Sequence, residues 1–303
     1  MLKKLFYHIF YILRTFFRPI LTCIGKYCYI KSQQPLVASI DDTLNALSES
    51  DKSLCRFGDG EFKWIYHIPQ RSFQNYNPEM ARKLRNIISS DSDSVLICIP
   101  DIFGNMNDKC LPDRNFWWYT LALRRPLWLH LLHHKRYYNA DVSRCYLGLL
   151  DKTKSAVYFA RWKKIFSQKN ILLVEGAQTR AGSGNDLFDT ALSVRRILIP
   201  SENAFDRYDA ILEAVLNNHI SNELILVSAG PTATVLCYEL AIRGLRALDI
   251  GHLDIEYEWY LRKVSERTLI PGKYINELRR QGGASPAPVH DTKYKKEIIF
   301  IIK

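Results

Sequence analysis

The sequence predicts an α/β fold in which an open, mostly parallel β-sheet is flanked by helices. The first observation behind this prediction is that short apolar runs alternate with amphipathic, helix-length segments from residue 155 onward. This alternation is the order expected of parallel β-α-β units. The second observation is that polar or glycine-rich loops directly follow several of the apolar runs. Ligands of such sheets bind outside the carboxyl ends of the strands, so the loops predict one composite site.

The predicted elements are assigned from hydrophobic periodicity, glycine and proline positions and run length. Helices are predicted over 36–48, from 61 onward, and over 78–88, 156–166, 208–216 and 232–243. Strands are predicted over 53–57, 95–99, 171–174, 194–199, 224–228, 247–250 and 297–302. Residues 36–303 are therefore interpreted as one domain, preceded by a separate segment, 1–35.

Composition and charge argue against several classes of protein. The chain has 303 residues, of which 47% are hydrophobic and 24% charged, as in ordinary globular proteins. Residues 1–35 hold six basic and no acidic residues, which is +6 of the net charge of +11. The remaining residues carry only +5, so the charge of the domain is weak evidence for a nucleic-acid partner. The seven scattered cysteines form no C-x-x-C pair, which argues against a disulfide framework or a zinc site and favours the cytoplasm.

The segment 1–35 has apolar and aromatic residues at helical spacing, with Arg14 and Arg18 on a shared face. Its uninterrupted apolar part is shorter than the ~20 residues that span a bilayer, and Pro19 is expected to kink or end the helix. A basic, aromatic-rich helix suits the membrane interface, so we predict a peripheral anchor. Packing on the domain, oligomerisation and a processed leader are the alternatives.

The stretch RFGDGE suits a divalent cation. Asp59 and Glu61 offer the hard oxygen ligands that Mg²⁺ or Mn²⁺ prefers, and Gly58 and Gly60 let the backbone turn tightly. Arg56 suits a phosphate, or it braces the two carboxylates. From this motif alone, a surface turn with solvated charges is an equally good interpretation.

Two further loops suit a diphosphate. The stretch SAGPTAT leads from a predicted strand into a helix, where free amides and the hydroxyls of Thr232 and Thr234 suit an anion; simple capping is the alternative. The loop GAQTRAGSGND carries Arg180 on a glycine-rich backbone, which suits a mobile diphosphate clamp, whereas Asp186 equally suits a helix cap. This loop lacks the third glycine of the dinucleotide pattern, which argues against NAD.

The stretch GHLDIEYEW supplies candidate catalytic carboxylates. Asp254 and Glu258 are one helical turn apart and share a face, with Tyr257 beside them, while Glu256 points elsewhere. A carboxylate here suits a general base toward an acceptor hydroxyl, although it also favours a helix N-terminus electrostatically. Together with the other loops, this pattern indicates transfer from a nucleotide diphosphate donor, with a metal that neutralises the leaving diphosphate.

Four motifs in order closely resemble a family of bacterial glycosyltransferases with the GT-D fold, first catalogued as a domain of unknown function. The motifs are RFGDGE, VEGAQTRAGSGNDLFD, ILVSAGPTATVLCYELA and ALDIGHLDIEYEW, and the resemblance covers roughly residues 53–261. It implies a Rossmann-like domain, a nucleotide-sugar donor such as UDP-glucose, and Mn²⁺ or Mg²⁺ on Asp59 and Glu61. It also implies a role in building surface glycans or glycosylating surface proteins.

The sequence therefore predicts a metal-dependent hexosyltransferase that uses a UDP-sugar and a glycan or lipid-linked acceptor at the inner face of the plasma membrane. The predicted catalytic residues are Asp254, Glu256 and Glu258, and the predicted metal ligands are Asp59 and Glu61. The predicted donor-binding residues are Arg56, Phe57, Gly58, Gly60, Arg180, Asn185, Asp186, Gly230, Thr232, Thr234 and His252. The alternatives are a nucleotidyl or phosphoryl transferase or hydrolase, and a non-catalytic, membrane-docked module of a glycan assembly complex.

Overall fold

A computed structural model describes residues 16–27, 35–70, 73–104, 106–133, 136–281 and 291–303. In these residues, nine strands form one sheet. The strands are β1 Leu36–Val37, β2 Ser53–Arg56, β3 Val95–Ile99, β4 Arg136–Asn139, β5 Asn170–Gly176, β6 Ser193–Ile199, β7 Glu223–Ser228, β8 Ala247–Asp249 and β9 Ile298–Ile301. Their order is β1-β4-β3-β2-β8-β7-β5-β6-β9, and every described pair is parallel.

Helices flank this sheet. They are α1 over 16–27, α2 Ile40–Glu49, α3 Asp59–Ile65, α4 Pro78–Ile88, α5 Leu111–Leu131, α6 Thr153–Phe166, α7 Tyr208–Asn218, α8 Pro231–Ile242, α9 Leu253–Leu261 and α10 Thr292–Glu297. The predicted α/β fold with an open parallel sheet is confirmed. The long helix α5 falls in a region where the sequence analysis delimits no element.

The sheet reverses its direction of growth between β2 and β8. From β2 the chain proceeds to β3 and then β4 on one side, whereas β8 and β7 lie on the other side of β2. Leu54 of β2 pairs with Leu248 of β8, so the loops that follow these two strands are neighbours. A crevice at such a switch point is where open α/β sheets bind ligands.

Two apolar layers cover the two faces of the sheet. In β3, Val95, Ile97 and Ile99 pack into one layer, while Leu96 and Cys98 pack into the other. Side chains of a strand alternate between faces, so a run that is apolar throughout is buried on both sides. This explains why uninterrupted apolar runs predicted the strands well.

The prediction of one helix over 36–48 is wrong at its start. Ser39 caps α2: its hydroxyl accepts a hydrogen bond from the Asp42 amide at 2.9 Å, and the Asp42 carboxylate accepts from the Ser39 amide at 3.4 Å. This reciprocal capping begins the helix at Ile40. The residues before it, Leu36 and Val37, instead pair with β4.

The helix α1 continues past Pro19, so of the two expectations, a kink or an end at this proline, the end is excluded. Residues 1–15 and 28–34 of the predicted segment lie outside the described residues. It packs closely on α5. A Cβ atom added to Gly25 would lie 1.8 Å from the carbonyl oxygen of Trp118. Across the described ranges, no helix combines the length and apolarity needed to cross a membrane.

A buried charge cluster fastens the last helix to the sheet. Arg196 of β6 is 3% exposed and lies between Glu175 of β5 and Glu297 of α10. Its Nη1 and Nε lie 2.6 and 2.7 Å from the respective carboxylate oxygens, and its guanidinium also covers the ring of Tyr294. Burial raises the pKa of Glu175, and Arg196 opposes that rise. The cation therefore offsets part of the cost of burying this carboxylate.

Replacing Arg196 by Met should cost about 3–5 kcal/mol of unfolding free energy, because Glu175 would be left as an uncompensated buried charge. Urea unfolding followed by circular dichroism measures this cost. The matched control is Arg243→Met, which removes a half-exposed arginine from a surface pair with Glu239 and should cost less than about 1 kcal/mol. Equal losses in both variants would contradict the role assigned to Arg196.

Candidate active site

The four polar loops meet in one cavity of about 870 Å³ at the carboxyl ends of the strands. Its lining includes the last residues of two strands, Gly176 of β5 and Ser228 of β7. It also includes residues that follow strands, namely Gly58–Glu61 after β2, Thr179 after β5, Ala229–Pro231 after β7, and Gly251 and His252 after β8. The sheet order puts β2 beside β8 and β8 beside β7, which is why loops distant in sequence converge. The composite site expected from the sequence is thus present as a cavity.

Asp59 and Glu61 both line this cavity from the first turn of α3. Glu61 accepts a hydrogen bond from the Gly58 amide at 2.7 Å through Oε2, which closes the first turn of the helix. Asp59 forms an ion pair with Lys63, one turn further along. Burial raises the pKa of Glu61, and the charges of Asp249 and Asp59 add to that rise. The pair is therefore an electronegative spot in the cavity wall.

The chemistry of this pair fits a divalent cation that arrives with a diphosphate. The residues described here include no group of three or more His, Cys, Asp or Glu side chains able to hold a metal by themselves. Mg²⁺ is commonly bound by one or two carboxylates plus substrate phosphates, with water completing its octahedron. Asp59 and Glu61 would supply the two carboxylates of such a site.

Arg56 holds the ends of three strands together rather than bracing Asp59 and Glu61. Its Nε donates to the carbonyl oxygen of Ala140 at 3.0 Å, and its Nη1 lies 3.3 Å from Oδ1 of Asp249. A Cβ atom on Gly251 would lie 2.0 Å from Nη1, so a larger residue at this position would displace the guanidinium. Burial raises the pKa of Asp249, and Arg56 counteracts it. The same guanidinium still lines the cavity.

Three predicted donor-binding side chains point into the core instead of the cavity. Phe57, Thr232 and Thr234 are 0% exposed. The hydroxyl of Thr234 donates to the carbonyl oxygen of Arg56 at 2.7 Å and lies 3.3 Å from Asp249. Thr234 therefore stabilises the strand end, and the expectation that its hydroxyl faces a phosphate does not fit the structure.

Gly230, in contrast, lies in the cavity wall at the start of α8. Its φ angle is +56°, a conformation that favours glycine. A Cβ atom at this position would lie 2.2 Å from the ring of Phe73, which covers the turn. At the N-terminus of α8, the backbone of a residue without a side chain therefore lines the cavity. This is the arrangement expected where the backbone approaches a ligand closely.

The glycine-rich loop after β5 is fastened down in this structure and does not form the expected clamp. Arg180 donates to the carbonyl oxygen of Gly272 at 2.9 Å and lies outside the lining of the cavity. Asn185 donates to Asp254 and Glu258, each at 2.8 Å. Its neighbour Asp186 is 56% exposed and pairs with Lys163 and Tyr257; turns rather than a helix follow it.

Asp254 and Glu258 share a face, as predicted, but that face is occupied by a buried lysine. The Lys273 ammonium is 4% exposed and lies 2.7 Å from Oδ2 of Asp254 and 3.0 Å from Oε1 of Glu258. Asp254 also accepts from the Gly182 amide at 2.7 Å. These bonds join α9 to the glycine-rich loop, so the two carboxylates have a structural use. Lys273 follows the last motif and gives no signal in the sequence.

Glu256 points to a different side, as predicted, and that side is the cavity. Its Oε2 accepts hydrogen bonds from the amides of Tyr146 and Leu147 at 3.0 and 2.9 Å. In the part of the chain that the structure describes, its Oε1 accepts no hydrogen bond. Burial raises the pKa of Glu256, while Arg144 and the two amides oppose the rise. Two backbone amides therefore fix one carboxylate oxygen of a side chain that is only 3% exposed.

His252 belongs to a charged cluster beside Glu256. Its Nδ1 lies 3.1 Å from Oε1 of Glu277 and 3.2 Å from Nη2 of Arg144, and Nη2 donates to the same Glu277 oxygen at 2.8 Å. Burial raises the pKa of Glu277, but His252 and Arg144 outweigh it and hold the pKa well below its usual range. Sequence reasoning missed Glu277 because it follows the last recognised motif by many residues.

Comparison with known proteins identifies the family. A sequence model described as "Glycosyltransferase GT-D fold" matches residues 54–278. The "Probable glycosyl transferase Gly" of Streptococcus gordonii is 41% identical over 250 residues, 82% of this chain and 36% of that protein. "Glycosyltransferase GlyD" of Streptococcus pneumoniae serotype 4 is 34% identical over 269 residues, 87% of this chain and 32% of that protein. The chain thus spans about a third of the length of these two relatives.

Solved structures agree. The structure described as "A New Glycosyltransferase (DUF1792) from Streptococcus sanguinis" has a TM-score of 0.85 and 37% identity, covering 89% of this chain and 100% of that one. Another, described as "The highly conserved domain of unknown function 1792 has a distinct glycosyltransferase fold", has a TM-score of 0.85 and 33% identity, covering 93% and 98%. The resemblance inferred from the four motifs is confirmed: the chain belongs to the family of glycosyltransferases with the GT-D fold.

Proposed function

We propose that this protein is a metal-dependent glycosyltransferase that transfers a hexose, such as glucose, from a UDP-sugar to a glycan acceptor. The acceptor class is a precursor of surface polysaccharide, lipopolysaccharide or glycoprotein. The observation that supports this proposal is that the Asp59–Glu61 carboxylate pair and the start of α8 line one cavity at the switch point of the sheet. Family membership supports the same chemistry.

The cavity offers each part of a nucleotide-sugar donor a suitable partner. Asp59 and Glu61 would hold Mn²⁺ or Mg²⁺, which when bound neutralises charge on the leaving diphosphate. The backbone at Gly230, at the positive end of α8, would receive a phosphate oxygen. His252 and Arg144, which also line the cavity, would orient the sugar or the acceptor.

Glu256 is the carboxylate best placed to act as general base toward an acceptor hydroxyl. Two amides fix its orientation, one oxygen accepts no bond from a described residue, and it lines the cavity. Burial raises its pKa, which makes the carboxylate a stronger proton acceptor once it is ionised. Asp254 and Glu258 are bound to Lys273 and are not proposed for this role.

Asp59→Ala and Glu61→Ala should each lower the rate of UDP-sugar turnover with Mn²⁺ by about 100-fold or more, because the leaving diphosphate loses its charge stabilisation. The control is Glu79→Ala, which removes an exposed carboxylate of α4 outside the cavity. Turnover at the wild-type rate in both site variants would refute the metal assignment.

Product analysis of the same reactions separates the candidate chemistries. Free UDP together with a glycosylated acceptor supports the proposal, whereas UMP or inorganic phosphate would indicate a nucleotidyl or phosphoryl transferase or a hydrolase. No binding of UDP in a calorimetric titration would instead favour a non-catalytic module of a glycan assembly complex.

Glu256→Gln should lower kcat by about 100-fold or more while UDP affinity changes less than about 3-fold, since it removes the base without touching the donor site. In the wild type, the activity should rise with pH through the raised pKa of Glu256, because the base must be deprotonated. Glu266→Gln, an exposed carboxyl on the same cavity, is the matched control and should leave kcat unchanged. If both variants keep wild-type kcat, the base lies elsewhere.

The outer face of α1 supports a place at the surface of the membrane. Gly25 packs against α5, which turns the opposite side of α1 away from the protein. That side carries exposed apolar residues, namely Phe16 (74% exposed), Phe17 (45%), Ile20 (53%), Ile24 (46%) and Tyr27 (58%). An exposed apolar stripe on a helix suits burial at the boundary between headgroups and acyl chains.

The charge of α1 is compatible with a bilayer that contains anionic lipids. Arg18 and Lys26 are the charged residues of 16–27, and neither an Asp nor a Glu stands among them. Arg18 lies over the ring of Tyr119 and Lys26 over the ring of Trp118, so both cations contact α5. The surface that α1 offers to the lipid is therefore the apolar stripe. Arg18 also lines the cavity, which would place the cavity mouth beside the bilayer and a lipid-linked acceptor. We therefore propose a peripheral location on the inner face of the plasma membrane.

Ile20→Ser combined with Ile24→Ser should weaken binding to vesicles of phosphatidylcholine with phosphatidylglycerol by about 10-fold or more, because two apolar side chains no longer enter the lipid. Deleting residues 1–31 should abolish binding and leave donor hydrolysis largely intact. Ile242→Ser, on the equally exposed surface of α8, should bind as wild type in the same sedimentation assay. A deletion protein that still pellets with vesicles would refute the anchor. If the wild type is a dimer and the double variant is a monomer, the stripe is the interface with a second copy instead.

A further inference from the structure

One of the two proposed metal ligands already carries a cation from its own helix. Asp59 and Lys63 are one turn apart on α3, and the Lys63 ammonium contacts Oδ2 of Asp59. Both side chains are mostly shielded, at 31% and 18% exposure, and both line the cavity. On an open surface, a lysine and an aspartate at this spacing form an ordinary helix-stabilising pair. Here the lysine occupies one of the two carboxylate oxygens of a proposed metal ligand.

An ammonium and a divalent cation compete for the same carboxylate. A metal that binds Asp59 in the empty cavity displaces the ammonium and then remains close to it, because the lysine stem is anchored one turn away. Two cations near one carboxylate repel each other, so Lys63 lowers the affinity for a metal alone. A nucleoside diphosphate removes this conflict, because its phosphates carry enough negative charge to pair with the metal and the ammonium together.

We propose that Lys63 is a positioning residue that holds the metal site until the donor arrives. In the free protein it pairs with Asp59; when the donor binds, it moves to the diphosphate and leaves Asp59 to the metal. Metal and donor therefore bind together rather than independently. This inference rests on the proposed function, since it requires both a divalent cation and a diphosphate in the cavity.

The test compares Mn²⁺ binding with and without UDP, measured on the full chain by the electron paramagnetic resonance signal of free Mn²⁺. Lys63→Gln should bind Mn²⁺ alone about 10-fold more tightly than wild type, because the competing charge is gone. In this variant, UDP should tighten Mn²⁺ binding by a smaller factor than in the wild type. Because coupling between two ligands is reciprocal, Mn²⁺ should tighten UDP binding by the same reduced factor. Lys63→Arg keeps the charge and should resemble wild type.

The matched control is Lys83→Gln, which removes a lysine from the same spacing on α4, where it lies 3.9 Å from Glu79 outside the cavity. It should leave Mn²⁺ binding unchanged. One outcome would overturn this inference and leave the proposed function intact: the wild type binds Mn²⁺ and UDP together, but Lys63→Gln binds Mn²⁺ with the same affinity as the wild type. Failure of the wild type to bind UDP and Mn²⁺ together would overturn the proposed function as well, so the two failures are distinguishable.

Discussion

The buried ion pair between Arg56 and Asp249 joins the strands β2 and β8, and the geometry of the cavity depends on it. These strands share a single described register pair, Leu54 with Leu248, so the side chains at their ends carry much of the connection. Arg56 also reaches the carbonyl oxygen of Ala140 beyond β4, and Thr234 of α8 bonds to the Arg56 carbonyl. The loop with Asp59 and Glu61, the start of α8 and the loop with His252 are thereby held around one space.

The acidic residues near this space divide into two kinds according to their partners. Asp254 and Glu258 surround the Lys273 ammonium and tie α9 to the glycine-rich loop. Glu256, between them in sequence, faces the cavity with its orientation set by two backbone amides. A helix turns about 100° per residue, so residues two positions apart point in different directions. One short motif can therefore place Asp254 and Glu258 on Lys273 and Glu256 at the cavity.

Apolar runs and loop composition predicted seven of the nine described strands and the convergence of their loops, because a strand buried on both faces leaves an uninterrupted apolar run. The strands β1 and β4 were missed because β1 has two residues and β4 is the largely polar run RYYN. Side-chain direction was less accessible. Thr232 and Thr234 suited an anion by residue type, yet both are fully buried. Lys273 and Glu277 complete the charge clusters from a segment after α9 without a motif, and only tertiary packing brings them to their partners.

A crystal structure of the protein with Mn²⁺ and UDP, analysed by anomalous scattering at the manganese edge, tests the metal assignment. We expect one anomalous peak within coordination distance of Asp59 and Glu61, with Lys63 turned toward the phosphates. UDP bound in the cavity with no manganese at these carboxylates, or manganese bound elsewhere, would contradict it.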